Sequence, residues 1–185
     1  MNREDALELI GRHVKNENSI KHMLAAEAVM RALAVRFGED EERWGLTGLL
    51  HDIDMEIVDY VADPEEHGKE GAAILEEEGV DREIAEAVRA HNPATGKRPE
   101  TMMEKAIYCA DPLTGLIVAS TLVLPSRKIS DLTPVSVMNR YKERAFARGA
   151  DRETIASCSE MGLELEEFIS IGLEAMKGIA GKLGF

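Results

Sequence analysis

Several chemistries are excluded by what this chain lacks. It has two cysteines, Cys109 and Cys158, in 185 residues, which is no basis for a disulfide framework. Cys109 stands in an apolar stretch and reads as a small core residue. Aromatic residues are only 4% of the total, so aliphatic side chains and Met must fill the core. No apolar run approaches the about 18 residues of a spanning helix, and no charged segment followed by an apolar one opens the chain. Work at a membrane is not expected, and the expected location is cytoplasmic. Positive charge is short: 22 Lys and Arg face 35 Asp and Glu, a net charge of −13. A basic stripe is the electrostatic footprint of nucleic-acid binding, so no nucleic-acid polymer is expected as a partner. Neither a Gly-x-Ser-x-Gly elbow nor a reactive-cysteine signature is present, which leaves no obvious protein nucleophile.

Strand-like alternation is also missing, as are internal repeats and any break that divides the chain in two. The length fits one domain with a substantial core. Helical periodicity dominates. A short helix is expected from Arg3 to about His13. A second begins at a Ser19 cap and carries Met23, Ala26, Met30, Leu33 and Phe37 until Gly38 stops it. A third runs from about Asp40 to His51. Asp63-Pro64 reads as the start of a helix that carries His67 and ends at Gly79. Asp81 caps the next, which ends at His91-Asn92-Pro93. Helix six spans about Thr101 to Asp111, where Asp111-Pro112 interrupts the chain before another helix. Thr133-Pro134 opens one that ends at Gly149, Asp151 caps a short one, and a last helix runs from about Leu163. That helix carries Glu164, Glu166, Glu167 and Glu174 on its polar side, so a core or homodimer face suits it better than a membrane. The expected fold is all-α.

The chemistry concentrates in Gly48-Leu49-Leu50-His51-Asp52-Ile53-Asp54. A His-Asp pair ends an apolar run, and imidazole plus carboxylate suits Fe, Mn, Co, Ni or Zn better than Ca or Mg. Further ligands stand at His22, His67, His91 and Asp111, an order H…HD…H…H…D that uses four of the five histidines. His13 falls outside this order and reads as a helix-end cation.

This order resembles the HD superfamily of metal-dependent phosphohydrolases, and its two extra histidines resemble the subset that binds two ions. The resemblance covers about residues 20–115, with a helical C-terminal extension over about 116–185. It implies a helical bundle with the metal site between helices. It also implies a ligand set: His22, His51, Asp52 and Asp111 on one ion, His67 and His91 on a second, with Asp52 bridging. Hydroxide activated by the metal would then attack a phosphoester of a nucleotide or other small phosphorylated metabolite. Relatives often carry Lys or Glu three residues after the HD aspartate. Here Met55 stands there, flanked by Asp54 and Glu56; either is a candidate beside Asp52 to act as general base or to support a metal ligand from behind. Lys69, Asn92, Arg127 and Lys128 are the candidates for substrate binding, the last two because loops on a rigid scaffold carry recognition. Two other readings accompany the hydrolase: a di-iron oxygenase, which resembles the same layout, and a non-catalytic sensor, against which the full set of six ligands weighs.

Overall fold

In the computed structural model, which describes residues 1–185, ten α-helices and three short 3-10 turns make up the fold, without a strand. The helices are α1 (Arg3–His13), α2 (Glu17–Phe37), α3 (Glu41–Leu50), α4 (Lys69–Glu77), α5 (Arg82–His91), α6 (Met102–Leu122), α7 (Pro134–Lys142), α8 (Arg152–Ala156), α9 (Leu165–Gly178) and α10 (Ala180–Leu183). None is long and apolar enough to cross a membrane.

The bundle is organised around α2, which packs against α3, α6, α9 and α10. Its cap is Asn16 rather than Ser19. The Asn16 carboxamide accepts from the amides of Asn18 and Ser19, so Ser19 lies inside the first turn. Gly38, at φ 73°, closes the other end in the left-handed conformation that glycine tolerates best. α3 lies hard against α2 because its inner face is glycine. A Cβ on Gly48 would stand 2.6 Å from the Ala26 carbonyl oxygen. That contact sets His22, on α2, beside His51, at the end of α3. A single apolar core runs from Ala6 on α1 to Leu183 on α10.

Three further expected boundaries move, each for a physical reason. Residues 59–68 form turns, and α4 starts at Lys69 instead of Pro64. The Asp54 carboxylate accepts from the amides of Gly68 and Gly71 at 2.7 and 2.8 Å. Two amides at this helix start are thus satisfied from another part of the chain, those of Lys69 and Glu70 turn back to the Glu66 carbonyl, and Asp63 is not the cap. Second, α6 continues through Pro112 without a stop, so the expected core and extension divide one helix. A proline inside a helix costs about 3 kcal/mol; packing of α6 on α2, α5, α8 and α9 offsets it. Third, α7 ends at Lys142, not Gly149. The Arg152 guanidinium collects the carbonyls of Arg140, Tyr141, Glu143, Phe146, Ala147 and Ala150. A side chain thereby takes the acceptors that helical amides would otherwise use.

Candidate metal centre

The six side chains expected as ligands meet at one place, although they come from five parts of the chain. α2 supplies His22, the end of α3 supplies His51 and Asp52, and the turn before α4 supplies His67. The last residue of α5 supplies His91, and the middle of α6 supplies Asp111. The His22 and His51 ring centroids are 5.0 Å apart, those of His51 and His91 5.1 Å, and those of His67 and His91 4.8 Å.

Each imidazole has its Nδ1 committed. His51 Nδ1 faces the Gly48 carbonyl at 2.8 Å, and His91 Nδ1 faces the Val88 carbonyl at 2.5 Å. A carbonyl only accepts, so both Nδ1 atoms carry the proton. His67 Nδ1 donates to Asp54 at 2.8 Å. His22 Nδ1 lies 3.0 Å from the Thr114 hydroxyl, which spends its own proton on the Asp111 carbonyl at 2.8 Å; His22 Nδ1 is therefore the donor. All four histidines then point Nε2 inward. In their neutral form these are lone pairs, yet His51 and His22 Nε2 lie 3.2 Å apart, and His91 and His67 Nε2 3.1 Å apart. Such contacts need a proton or a cation between them.

Carboxylates complete the shell. Asp52 Oδ1 faces the Nε2 atoms of His51, His67 and His91 at 3.4, 3.3 and 3.6 Å, while its Oδ2 faces His22 at 3.4 Å. Asp111 Oδ1 lies 2.9 Å from His22 Nε2 and 3.8 Å from that of His51. Ligand atoms of His22, His51 and Asp111 lie within 4.8 Å of one another, as do those of His51, Asp52 and His91. Without a cation the cluster holds protons instead. Burial opposes charge on His22, but the Asp111 hydrogen bond and nearby Asp52 override it and push its pKa up to about 9. Burial likewise opposes charge on His67, and hydrogen bonds to Asp52 and Asp54 push it up to about 10. Burial would raise the Asp52 carboxyl, but the surrounding histidines, His51 foremost, hold it well below the usual range. Two carboxylates and a set of imidazoles oriented through their far nitrogens fit a divalent cation of the borderline type.

The cluster opens on one side. His51, Asp52 and His91 are nearly sealed, whereas His22 and Asp111 expose 26% and 31% of their side chains. They border a cavity of about 330 Å³ that is also lined by Ala147, Gly149 and Ala150, in the loop that Arg152 fixes.

The other expected site residues stand apart from this opening. Asp54 is fully buried and accepts from His67, Gly68 and Gly71, so it orients the His67 ring and is not free to act as a base. The Glu56 carboxylate accepts from the Lys15 and Asn16 amides at 2.8 and 2.7 Å and stays outside the cluster. Lys69 pairs with Glu66. Asn92 donates to the carbonyls of Pro64 and His67 at 2.7 and 2.9 Å, bracing the turn that carries His67. Arg127 and Lys128 are exposed in the turn after α6 and do not line the cavity. Sequence reasoning missed Thr114 and Arg152. Thr114 stands three residues after Asp111 on a helix, a spacing that puts both on one face; Arg152 left no trace in any pattern.

Known proteins resemble this chain in sequence. Ribonuclease Y of Sulfurovum sp. (strain NBC37-1) is 25% identical over 98% of this chain and 36% of its own length. That of Nitratidesulfovibrio vulgaris (strain DP4) is 29% identical over 80% of this chain and 29% of its own. That of Oleidesulfovibrio alaskensis is 26% identical over 75% and 26%. The chain thus spans between a quarter and little more than a third of the length of these curated relatives. No solved structure matches it. A family model described as HD domain matches residues 19–116, a stretch that includes all six converging residues and more than half the chain, and the protein belongs to the HD-domain family.

Proposed function

We propose that this chain is a phosphoester hydrolase that uses two divalent transition-metal ions and acts on a nucleotide or other small phosphorylated metabolite. The observation that carries the reading is the inward convergence of four Nε2 atoms, each fixed through its Nδ1, on two carboxylates. His22, His51 and Asp111 would hold one ion, His67 and His91 the other, and Asp52, with one oxygen toward His22 and the other toward His67, would span them. Bound there, such ions lower the pKa of water toward neutrality and neutralise phosphoryl oxygens.

The chain's own residues supply orientation and exclusion. Gly48 O, Val88 O, Thr114 and Asp54 keep the four rings in one tautomer. Burial of His51, Asp52 and His91 keeps bulk water from the inner side, so a phosphoryl group must approach past His22 and Asp111. No serine, threonine or cysteine touches the cluster in a position to attack, which favours direct hydrolysis over a covalent intermediate. The cavity of about 330 Å³ and the net charge of −13 favour a small substrate. The name of the relatives supports a second reading, an RNA phosphodiester.

The test strips the protein with chelator, reloads it separately with Mn, Fe, Co, Ni and Zn, and assays mononucleotides, sugar phosphates and a short oligoribonucleotide. Metal-dependent turnover of the small esters is expected. Preference for the oligoribonucleotide would replace the small substrate with a polymer, and no turnover with any metal would overturn the hydrolase.

A further inference from the structure

A second opening is also bordered by His22. It is a groove of about 500 Å³, within the size range of small-ligand pockets. His22 and Gly115 border both this groove and the smaller cavity, so the two meet beside the metal cluster. Asp111, Gly115, Val118 and Leu122 follow one another at steps of four, three and four residues along α6 and share one face. That face leads from a cluster carboxylate into the groove over ~16 Å of helix. Val118, Leu122, Leu183 and Phe185 make its lining apolar, and Leu122 is left 50% exposed.

One cation stands at this groove. Lys21, next to His22 in the chain, borders it and forms no ion pair, whereas Lys69, Lys97, Lys105 and Lys177 each face a glutamate. Gly115 lies between the two chambers. A Cβ added there meets no atom within 4 Å, although glycine is a poor residue inside a helix. What this glycine leaves is open space where the chambers join.

We propose that the groove receives the organic arm of the substrate, a flat apolar group of nucleobase size, while Lys21 draws its phosphate toward His22. This rests on the phosphoester reading of the cluster. It places the substrate's specificity on α6 and the C-terminal segment rather than on the turn holding Arg127 and Lys128.

The test uses manganese-loaded protein with 1-naphthyl phosphate and glycerol 3-phosphate, and calorimetry with the non-hydrolysable 1-naphthylmethyl phosphonate. Leu122→Asp, at a half-exposed position, and Gly115→Leu, at one with room, should each raise the KM for the naphthyl ester about tenfold. Each should lower the naphthyl-to-glycerol ratio of kcat/KM to match. Val135→Asp, 70% exposed elsewhere, should leave that ratio alone. Lys21→Met should weaken phosphonate binding about tenfold, with Lys21→Arg restoring it. Turnover with an unchanged ratio in Leu122→Asp and Gly115→Leu would overturn the groove and spare the hydrolase. If no ester is turned over, the hydrolase falls and the phosphonate decides: weaker binding to Leu122→Asp supports the groove, and equal binding overturns it. A dimer that Leu122→Asp splits with the ratio unchanged would assign the groove to a second copy and overturn the proposal.

Discussion

Asp54 and His67 are joined by a 2.8 Å hydrogen bond from imidazole Nδ1 to carboxylate, and this bond turns His67 Nε2 toward Asp52, 3.3 Å away. The same carboxylate caps the start of α4 through Gly68 and Gly71. One buried acid therefore fixes both a candidate ligand and the helix that follows it.

Asp54→Asn should weaken metal binding roughly 10- to 100-fold, the usual effect of removing a partner that orients a ligating histidine. Chelator competition measures it. Unchanged affinity would mean that His67 is not a ligand.

Gly48→Ala should destabilise the fold by about 2 kcal/mol, because a Cβ 2.6 Å from the Ala26 backbone must push α3 off α2 in a close-packed core. His22 and His51 ride on those two helices, so metal affinity should fall with stability. Denaturant midpoints and metal titration on one preparation test both.

Metal affinity should rise with pH. His22 and His67, pushed up to about 9 and about 10 by carboxylates that outweigh burial, carry protons at neutral pH that a metal must displace. Uptake near pH 7 should release about two protons, visible as a buffer-dependent heat in calorimetry. The sign reverses for folding of the metal-free protein. A raised histidine pKa contributes stability that is complete below about 6.5 and is lost as pH climbs through about 9 to about 10. Chelated protein should therefore melt progressively lower across that range, and metal should suppress the loss.

Arg152→Lys should cost about 2 kcal/mol, since a lysine cannot present the planar fork that reaches six carbonyls at once. The loop it holds lines the cavity beside His22 and Asp111. KM should rise more than kcat falls. Loss confined to stability would leave Arg152 a purely structural residue.

The helical class was legible because periodicity is a local feature, and the gathering of His22, His51, Asp52, His67, His91 and Asp111 because their order along the chain resembles that of the HD family. What was hidden depends on contacts between distant segments. Asp54 caps α4 from fourteen residues away, and the local Asp63-Pro64 pattern pointed to a helix start that this long-range cap displaced. Pro112 reads as a break, yet tertiary packing carries α6 through it. Asn92 and Glu56 looked available for chemistry because their backbone partners, the carbonyls of Pro64 and His67 and the amides of Lys15 and Asn16, come close only in three dimensions. In the sequence Gly48 is only a member of the motif, and its need for close approach to Ala26 appears only when α2 and α3 meet.

Anomalous diffraction at the manganese edge from metal-soaked crystals tests the central claim most directly. The account predicts density among the four Nε2 atoms, with one peak toward His22, His51 and Asp111, a second toward His67 and His91, and Asp52 between them. Strong peaks only elsewhere on the molecule, or none in the cluster after saturating soaks, would contradict it.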